Sequence, residues 1–408
     1  MQTTEIVPKL RFKDENGKEF PEWVEKNLGD VGNTISGLTY SPNDVSNNGT
    51  LVLRSSNVKN GRVSLNDNVF VNVEKYNRVK PDDILICVRN GSRNLIGKNC
   101  LILKEHKGFA FGAFMTVFRS EMNRFLTHVF KHEDYKKQVQ RNLGATINSI
   151  NNNDLKKFKF LFPLKEEEEQ KIASFLSSVD EKISQLEKKK TLLETYKRGI
   201  MQKIFSQGLR FKDENGQEFP EWKERKLDSV FVNHGMKSMG LEEVFSVSVH
   251  KGLINQIEHL GRVFAAKNTD NYNLVLPGDI VYTKSPTGDF PFGIIKQSKL
   301  DKKVIVSPLY AVFTPETNDL GYILDVYFQS PLNVKNYLHS IIQKGAKNTI
   351  NITNKAFLSK KLLLPIDKAE QKKIASFLSS IDKKIEITST QLKKTREFKK
   401  GLLQQMFV

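Results

Sequence analysis

Four groups of residues in this chain have types and spacings that invite a chemical reading. Cys87 and Cys100 are its only cysteines, with twelve residues between them. That interval matches neither the CxxC pairs of a zinc site nor a disulfide framework, so both read as buried strand residues. The seven histidines are scattered, without HExxH or close cysteine partners, and no metal site is expected. Gly91 to Gly97-Lys98 resembles a phosphate-binding loop, but five residues separate the glycines instead of four and Asn99 replaces the required Ser or Thr. It reads as an ordinary loop. Asp180-Glu181-Lys182 looks nuclease-like, yet it lies inside a helical apolar pattern with no second acidic strand nearby, and it reads as a solvated helix face. There is no GxGxxG cofactor loop and no Asn-Pro-Pro-Tyr type motif for methyl transfer to a base amino group. No catalytic residue, metal or bound cofactor is assigned to the chain.

Composition points to a partner instead. At 408 residues there is room for two domains, and a formal charge of +18 with pI about 9.5 calls for a polyanion, either nucleic acid or an anionic membrane. The membrane is disfavoured by the lack of any apolar run near 18 residues. Met1 to Phe12 mixes charged and polar residues and does not read as a signal peptide, so a soluble, cytoplasmic protein is expected.

The elements that must position any binding residues are dominated by two long helices. Ile172-Ala173-Ser174-Phe175-Leu176-Ser177-Ser178 recurs as Ile374-Ala375-Ser376-Phe377-Leu378-Ser379-Ser380, in both cases nine positions after a proline, Pro163 or Pro365. Ile172, Leu176, Val179, Ile183 and Leu186 fall at alternating steps of four and three, as do Ile374, Leu378, Ile381, Ile385 and, further on, Leu392. Such spacing marks a coiled-coil seam. Lys190 and Lys197 interrupt the first seam, and Thr388 and Thr395 weaken the second. Glu166 to Glu169 favour the positive end of the first helix dipole, and Asp367 and Glu370 have the spacing of a capping box. Gly199 and Gly401 occupy matching places, read either as close approach of another backbone or as glycines tolerated near helix ends.

The remainder repeats as well. LRFKDENGKEFPEW, Leu10 to Trp23, returns at Leu209 to Trp222 with one change in fourteen, and the turn chemistry of Asp-Glu-Asn-Gly suggests a surface turn. One unit of roughly 200 residues therefore occurs twice. Between the copies the centres diverge, leaving only Pro81-Asp82-Asp83-Ile84 against Pro277-Gly278-Asp279-Ile280 and Val117-Phe118 against Val312-Phe313. Short β-branched runs such as Ile84 to Val88 and Val304 to Val306 predict a strand-rich α/β globule in each centre. The expected division is 1–162, 163–207, 208–364 and 365–408, as centre, helix, centre and helix. A near-identical frame around dissimilar centres implies that the frame has one shared job and each centre its own.

Two variable centres, the Pro-Gly-Asp-Ile type turn and the paired Ile-Ala-Ser-Phe-Leu-Ser-Ser helices together resemble a type I restriction-modification specificity subunit, over essentially the whole chain. The resemblance implies two target recognition domains, each reading half of a split asymmetric DNA site. It implies an internal pseudo-two-fold repeat in which two antiparallel coiled-coil helices separate those domains and dock two methyltransferase subunits. The partners would carry the chemistry and the S-adenosylmethionine, with restriction subunits as possible further members. DNA contact is then expected at loops that offer cations together with base-reading amides: Arg54, Asn57 and Lys59; Arg89, Asn90, Ser92 and Arg93; Arg141, Thr146 and Asn148. In the second centre the candidates are His250 and Lys251; Lys284, Ser285 and Thr287; Lys344, Lys347 and Asn348. Arg89 and Lys284 rank first because each follows a matched strand. Lys188 to Lys190 and Lys393-Lys394 are read either as solvated or as reaching DNA. The LRFKDENG segments are expected to pack on the opposite domain's helix, the alternative being contact with a partner. The rival functions are a self-contained nuclease, which would turn over alone with a metal, and a coiled-coil scaffold, which would not bind duplex DNA.

Overall fold

The computed structural model describes residues 7–143, 148–257, 269–344 and 350–407. They form two compact units, one of residues 1–188 with 389–408 and the other of residues 189–388. The boundary cuts through both long helices. Each unit therefore owns one divergent centre, the start of the helix that follows it and the end of the other helix.

In the first unit a four-stranded antiparallel sheet carries the centre, in the order β2 (Asn33–Ser36), β8 (Met115–Arg119), β5 (Ile84–Cys87), β6 (Asn99–Leu101). β1 (Val24–Asn27) pairs antiparallel with β9 (Lys159–Phe162), so the start and finish of the centre meet where the long helix begins. A smaller sheet is built on β3 (Thr50–Leu53), β4 (Phe70–Val71) and β7 (Ala110–Phe111). Three helices follow β8: α1 (Asn123–Val129), α2 (Glu133–Asn142) and α3 (Asn152–Lys156). The long helix α4 then runs Glu166–Phe205, 40 residues and about 60 Å at 1.5 Å per residue.

The second unit repeats this plan despite its different sequence. Its sheet has the order β11 (Phe231–Val232), β14 (Ala311–Pro315), β12 (Ile280–Tyr282), β13 (Ile295–Gln297), and β10 (Lys223–Lys226) pairs with β15 (Lys361–Leu364). Helices α5 (Asn318–Tyr327), α6 (Pro331–Leu338) and α7 (Asn354–Leu358) precede the final helix α8 (Lys368–Met406). Even the register agrees, Ile84 facing Phe118 and Ile280 facing Phe313. The skeleton turn explains why. Asp82 and Gly278 both take positive φ, and the next residue, Asp83 or Asp279, is buried with its carboxylate accepting the backbone N–H three residues back at 2.7 Å. Arg119 completes Asp83, whereas Thr314 and His234 complete Asp279. A buried carboxylate must be satisfied, and two solutions serve one turn.

Within each unit the long helices run antiparallel. Ile172, Leu176, Val179, Ile183 and Leu186 are buried in the cluster that also holds Leu392, Leu402 and Met406. Ile374, Leu378 and Ile381 are buried as expected, while Ile385 is half-buried. The lysine interruption is corrected by its partner: Lys197 is buried and its ammonium lies 2.6 Å from Asp382. In the first unit Lys399 pairs with Asp180 in the same way, so Asp180 is not a free solvated position. Both residues of each pair recur after 202 positions, a paired signal that the charges belong to the seam. Thr388 is buried with its hydroxyl donating to the Lys384 carbonyl at 2.8 Å, so it too is absorbed into the packing.

The repeated opening segment packs at a helix start and a helix end together. Leu10 N–H donates to the Gln405 carbonyl, and Phe12 meets Phe175 edge-on. Arg11 grips buried Glu168 with two hydrogen bonds, at 2.9 and 2.8 Å, and the Trp23 indole donates to the same carboxylate at 3.2 Å. In the second unit Phe211 meets Phe377, and Lys373 donates to the Lys212 carbonyl. There, however, Arg210 approaches Glu370 only to 3.7 Å, and burial raises the Glu370 carboxyl above its ordinary value. The capping box is half made: Asp367 accepts from the N–H groups of Ala369 and Glu370, while the Glu370 side chain turns toward Arg210.

A Cβ built on Gly199 or Gly401 meets nothing within 4 Å, so neither exists for close packing within this chain. Gly199→Ala and Gly401→Ala should each stabilise the isolated chain by about 1 kcal/mol, visible as a higher melting temperature. Arg11→Met strands a buried charge and should cost about 3–5 kcal/mol in urea unfolding, with Arg210→Met costing clearly less. Equal losses from the two would contradict this account of the pairs.

Candidate nucleic-acid interface

A polar loop, residues 88–98, joins β5 to β6. Cys87 closes it, its N–H donating to the Lys98 carbonyl and its carbonyl accepting from Gly97, both at 2.8 Å. Gly97 has φ +81, and a Cβ there would stand 2.8 Å from the Val139 side chain, which explains the glycine without any phosphate. Gly293, φ +92, closes the equivalent β12–β13 loop.

Three stretches far apart in the sequence, around Ser55, Asn90 and Asn148, meet here. Val88 and Arg89 N–H groups both donate to the Phe114 carbonyl, at 3.0 and 3.1 Å. The exposed Arg89 guanidinium lies 5.8 Å from the Phe114 ring centroid. Asn90 donates through its side chain to Ser55 Oγ at 3.0 Å and through its backbone to the Asn148 carbonyl at 3.2 Å. The Asn148 side chain donates to the Gly91 carbonyl at 3.0 Å, and Asn90 Oδ1 accepts from Ser92 N–H at 3.0 Å. The amides thus brace the loop, leaving Arg89, Ser92 and Arg93 exposed on it. Lys59 and Arg141 are also exposed.

Two candidates of this unit serve the fold instead. Asn57 is fully buried, its amide donating to the Ser64 and Asp67 carbonyls at 3.0 Å each, so it presents nothing to a ligand. Arg54 is held by Asp67 at 3.0 Å. Phe114, half exposed beneath Arg89, was missed because nothing in Phe-Gly-Ala-Phe marks one ring as a surface platform.

In the second unit the loop differs in kind. Lys284 is half-buried with φ +54, and its ammonium donates to Asn354 Oδ1 at 2.7 Å. Burial pushes its pKa down, so it is not the free cation matching Arg89. Ser285 and Thr287 are exposed, and their hydroxyls bond locally. His250 and Lys251 are exposed at the turn between strands Phe245–Ser248 and Gly252–Asn255. Lys344 lies on strand Gln343–Lys344, and Thr146, Lys347 and Asn348 fall outside the described residues.

This doubled arrangement coincides with two matches to one family profile, type I restriction modification DNA specificity domain, at residues 21–195 and 221–395. The chain belongs to that family. Each match runs from just before β1 or β10 into a long helix, so a specificity domain here comprises centre and helix together. The EcoKI specificity subunit of Escherichia coli K12 is 24% identical over 378 residues, 85% of this chain and 80% of that one. The StySPI specificity subunit of Salmonella potsdam is 24% identical over 53% of this chain and 50% of its own length. The solved S subunit from M. genitalium shares the fold, with TM-score 0.63 and 15% identity over 98% of this chain and 99% of that one. Among the described residues no cluster of His, Cys, Asp and Glu could hold a metal, and no helix is long and apolar enough to cross a membrane.

The first specificity domain buries His128 beside the interhelical pair. Its Nε2 lies 3.3 Å from Ser177 Oγ and its Nδ1 3.9 Å from Asp180. Burial first, then Lys131 and Lys399, pushes the imidazole down to about 3. The unfolded chain takes that proton near the ordinary value of about 6.5, so between pH 6.5 and 3 it binds more protons than the folded chain. Stability is lost as pH falls through that window. His128→Gln should therefore lose melting temperature less steeply than the native chain between pH 6.5 and 4.5; parallel slopes would refute a buried neutral histidine.

Proposed function

We infer that this chain is the sequence-reading subunit of a type I restriction-modification complex and carries no catalytic group of its own. Each unit reads one half of a split, asymmetric DNA site in the cytoplasm. The long helices dock two methyltransferase subunits, which bring S-adenosylmethionine, and restriction subunits join the assembly where cleavage occurs. What supports this reading is one observation: the same strand order in the four-stranded sheet, the same strand closure and the same helix pairing in both units surround loops of different chemistry. A shared frame suits identical partners, and unlike loops suit unlike half-sites. In the first unit Arg89, held on Phe114, is the side chain best placed to pair bidentately with guanine.

Mapping methylated bases across the genome of cells carrying this chain and its partners should return one split motif with two defined halves and an unspecified gap. Arg89→Ala should weaken recognition at one position of one half, by about 1–3 kcal/mol or roughly 5- to 150-fold. An unchanged motif and affinity would remove Arg89 from the reading surface. Cleavage of DNA by the purified chain alone with a metal would favour the nuclease reading instead.

A further inference from the structure

Beside the recognition loop the first unit holds a cleft of about 760 Å³ whose rim includes Arg93, Lys98, Lys131, Lys136 and Lys399. Asp180 is the acidic residue among its lining. Lys131 and Lys399 both lie on that one carboxylate, and Lys136 is paired with Glu133 outside the cleft. Among the described residues Lys98 donates only to the Ser55 carbonyl, at 3.4 Å, and Arg93 is exposed. Five cations thus share one carboxylate within the cleft and a second outside it, in a concave site where opposite charge is drawn in. Lys399 is held down at about 8, by burial and then by Lys131, as expected where positive charge is left in excess. Asn94 and Asn99 line the same walls with neutral donors.

We propose that this cleft seats phosphate groups of the DNA backbone flanking the half-site read by the first unit. The proposal rests on the DNA-reading function above and adds a site to it. Arg93 and Asn94 belong both to the recognition loop and to the cleft, so a backbone leaving the loop passes directly over Lys98 and Lys136. A phosphate there also shares Lys131 and Lys399 with Asp180, which ties DNA occupancy to the contact between α4 and α8.

The test uses the full chain assembled with its methyltransferase on a duplex carrying the methylated motif, with affinity followed against sodium chloride. Lys98→Gln combined with Lys136→Gln should lower the slope of log K against log salt by about 2, since each phosphate contact contributes about 0.9. The methylated motif should stay the same, and an unchanged melting temperature checks the fold. A native salt slope in the double variant would overturn the proposal. A native slope combined with thermal stabilisation by inorganic phosphate that the variant loses would assign the cleft to a small free anion instead. Failure of the unmodified complex to bind duplex at all would overturn the DNA-reading function and this site with it, an outcome distinct from either.

Discussion

The architecture depends on one interaction made twice, the pairing of a lysine near the end of one long helix with an aspartate near the start of the other. Lys399 meets Asp180, and Lys197 meets Asp382. An apolar seam with 3-4 spacing tolerates a slip of one heptad, roughly 10 Å, with little change in buried area. A half-buried charge does not tolerate it, because a shifted lysine would lose its carboxylate and keep its desolvation cost. The pairs thus specify register more than they add stability. The Tyr322 hydroxyl, donating to Asp382 at 2.6 Å, and Lys131, donating to Asp180 at 3.0 Å, connect the register of the helices to the centre of the same unit.

That constraint explains why the frame is so nearly repeated. Where the opening segment meets a helix start and a helix end, three elements must fit at once, and LRFKDENG recurs almost unchanged. Where the chain only needs to return from β1 to β9 or from β10 to β15, the intervening loops can diverge freely. The buried aspartate of the skeleton turn shows the intermediate case, retained in both centres but satisfied by Arg119 in one and by Thr314 with His234 in the other.

The long helices were legible in the sequence because a 40-residue periodicity is a strong signal. The common sheet was much less so, since its strands have two to five residues and share only the Pro-x-Asp-Ile turn and Val-Phe. Lys197 was misread as a break because periodicity counts apolar side chains and is blind to a partner on another element. Arg89 and Lys284 were equated by position, yet exposure separates them: one rests on an aromatic ring, the other is drawn inward by Asn354. Asn57 has the residue type of a base-reading amide, but it is buried, which no local pattern reports.

The central claim is that the frame carries assembly while each centre carries its own specificity. The most direct measurement replaces residues 32–150 with the corresponding centre of another family member and maps methylated bases in cells that also supply the methyltransferase. The account predicts that one half of the split motif changes, the other half is retained, and methylation remains efficient because the helix pair is untouched. A change in both halves would contradict it.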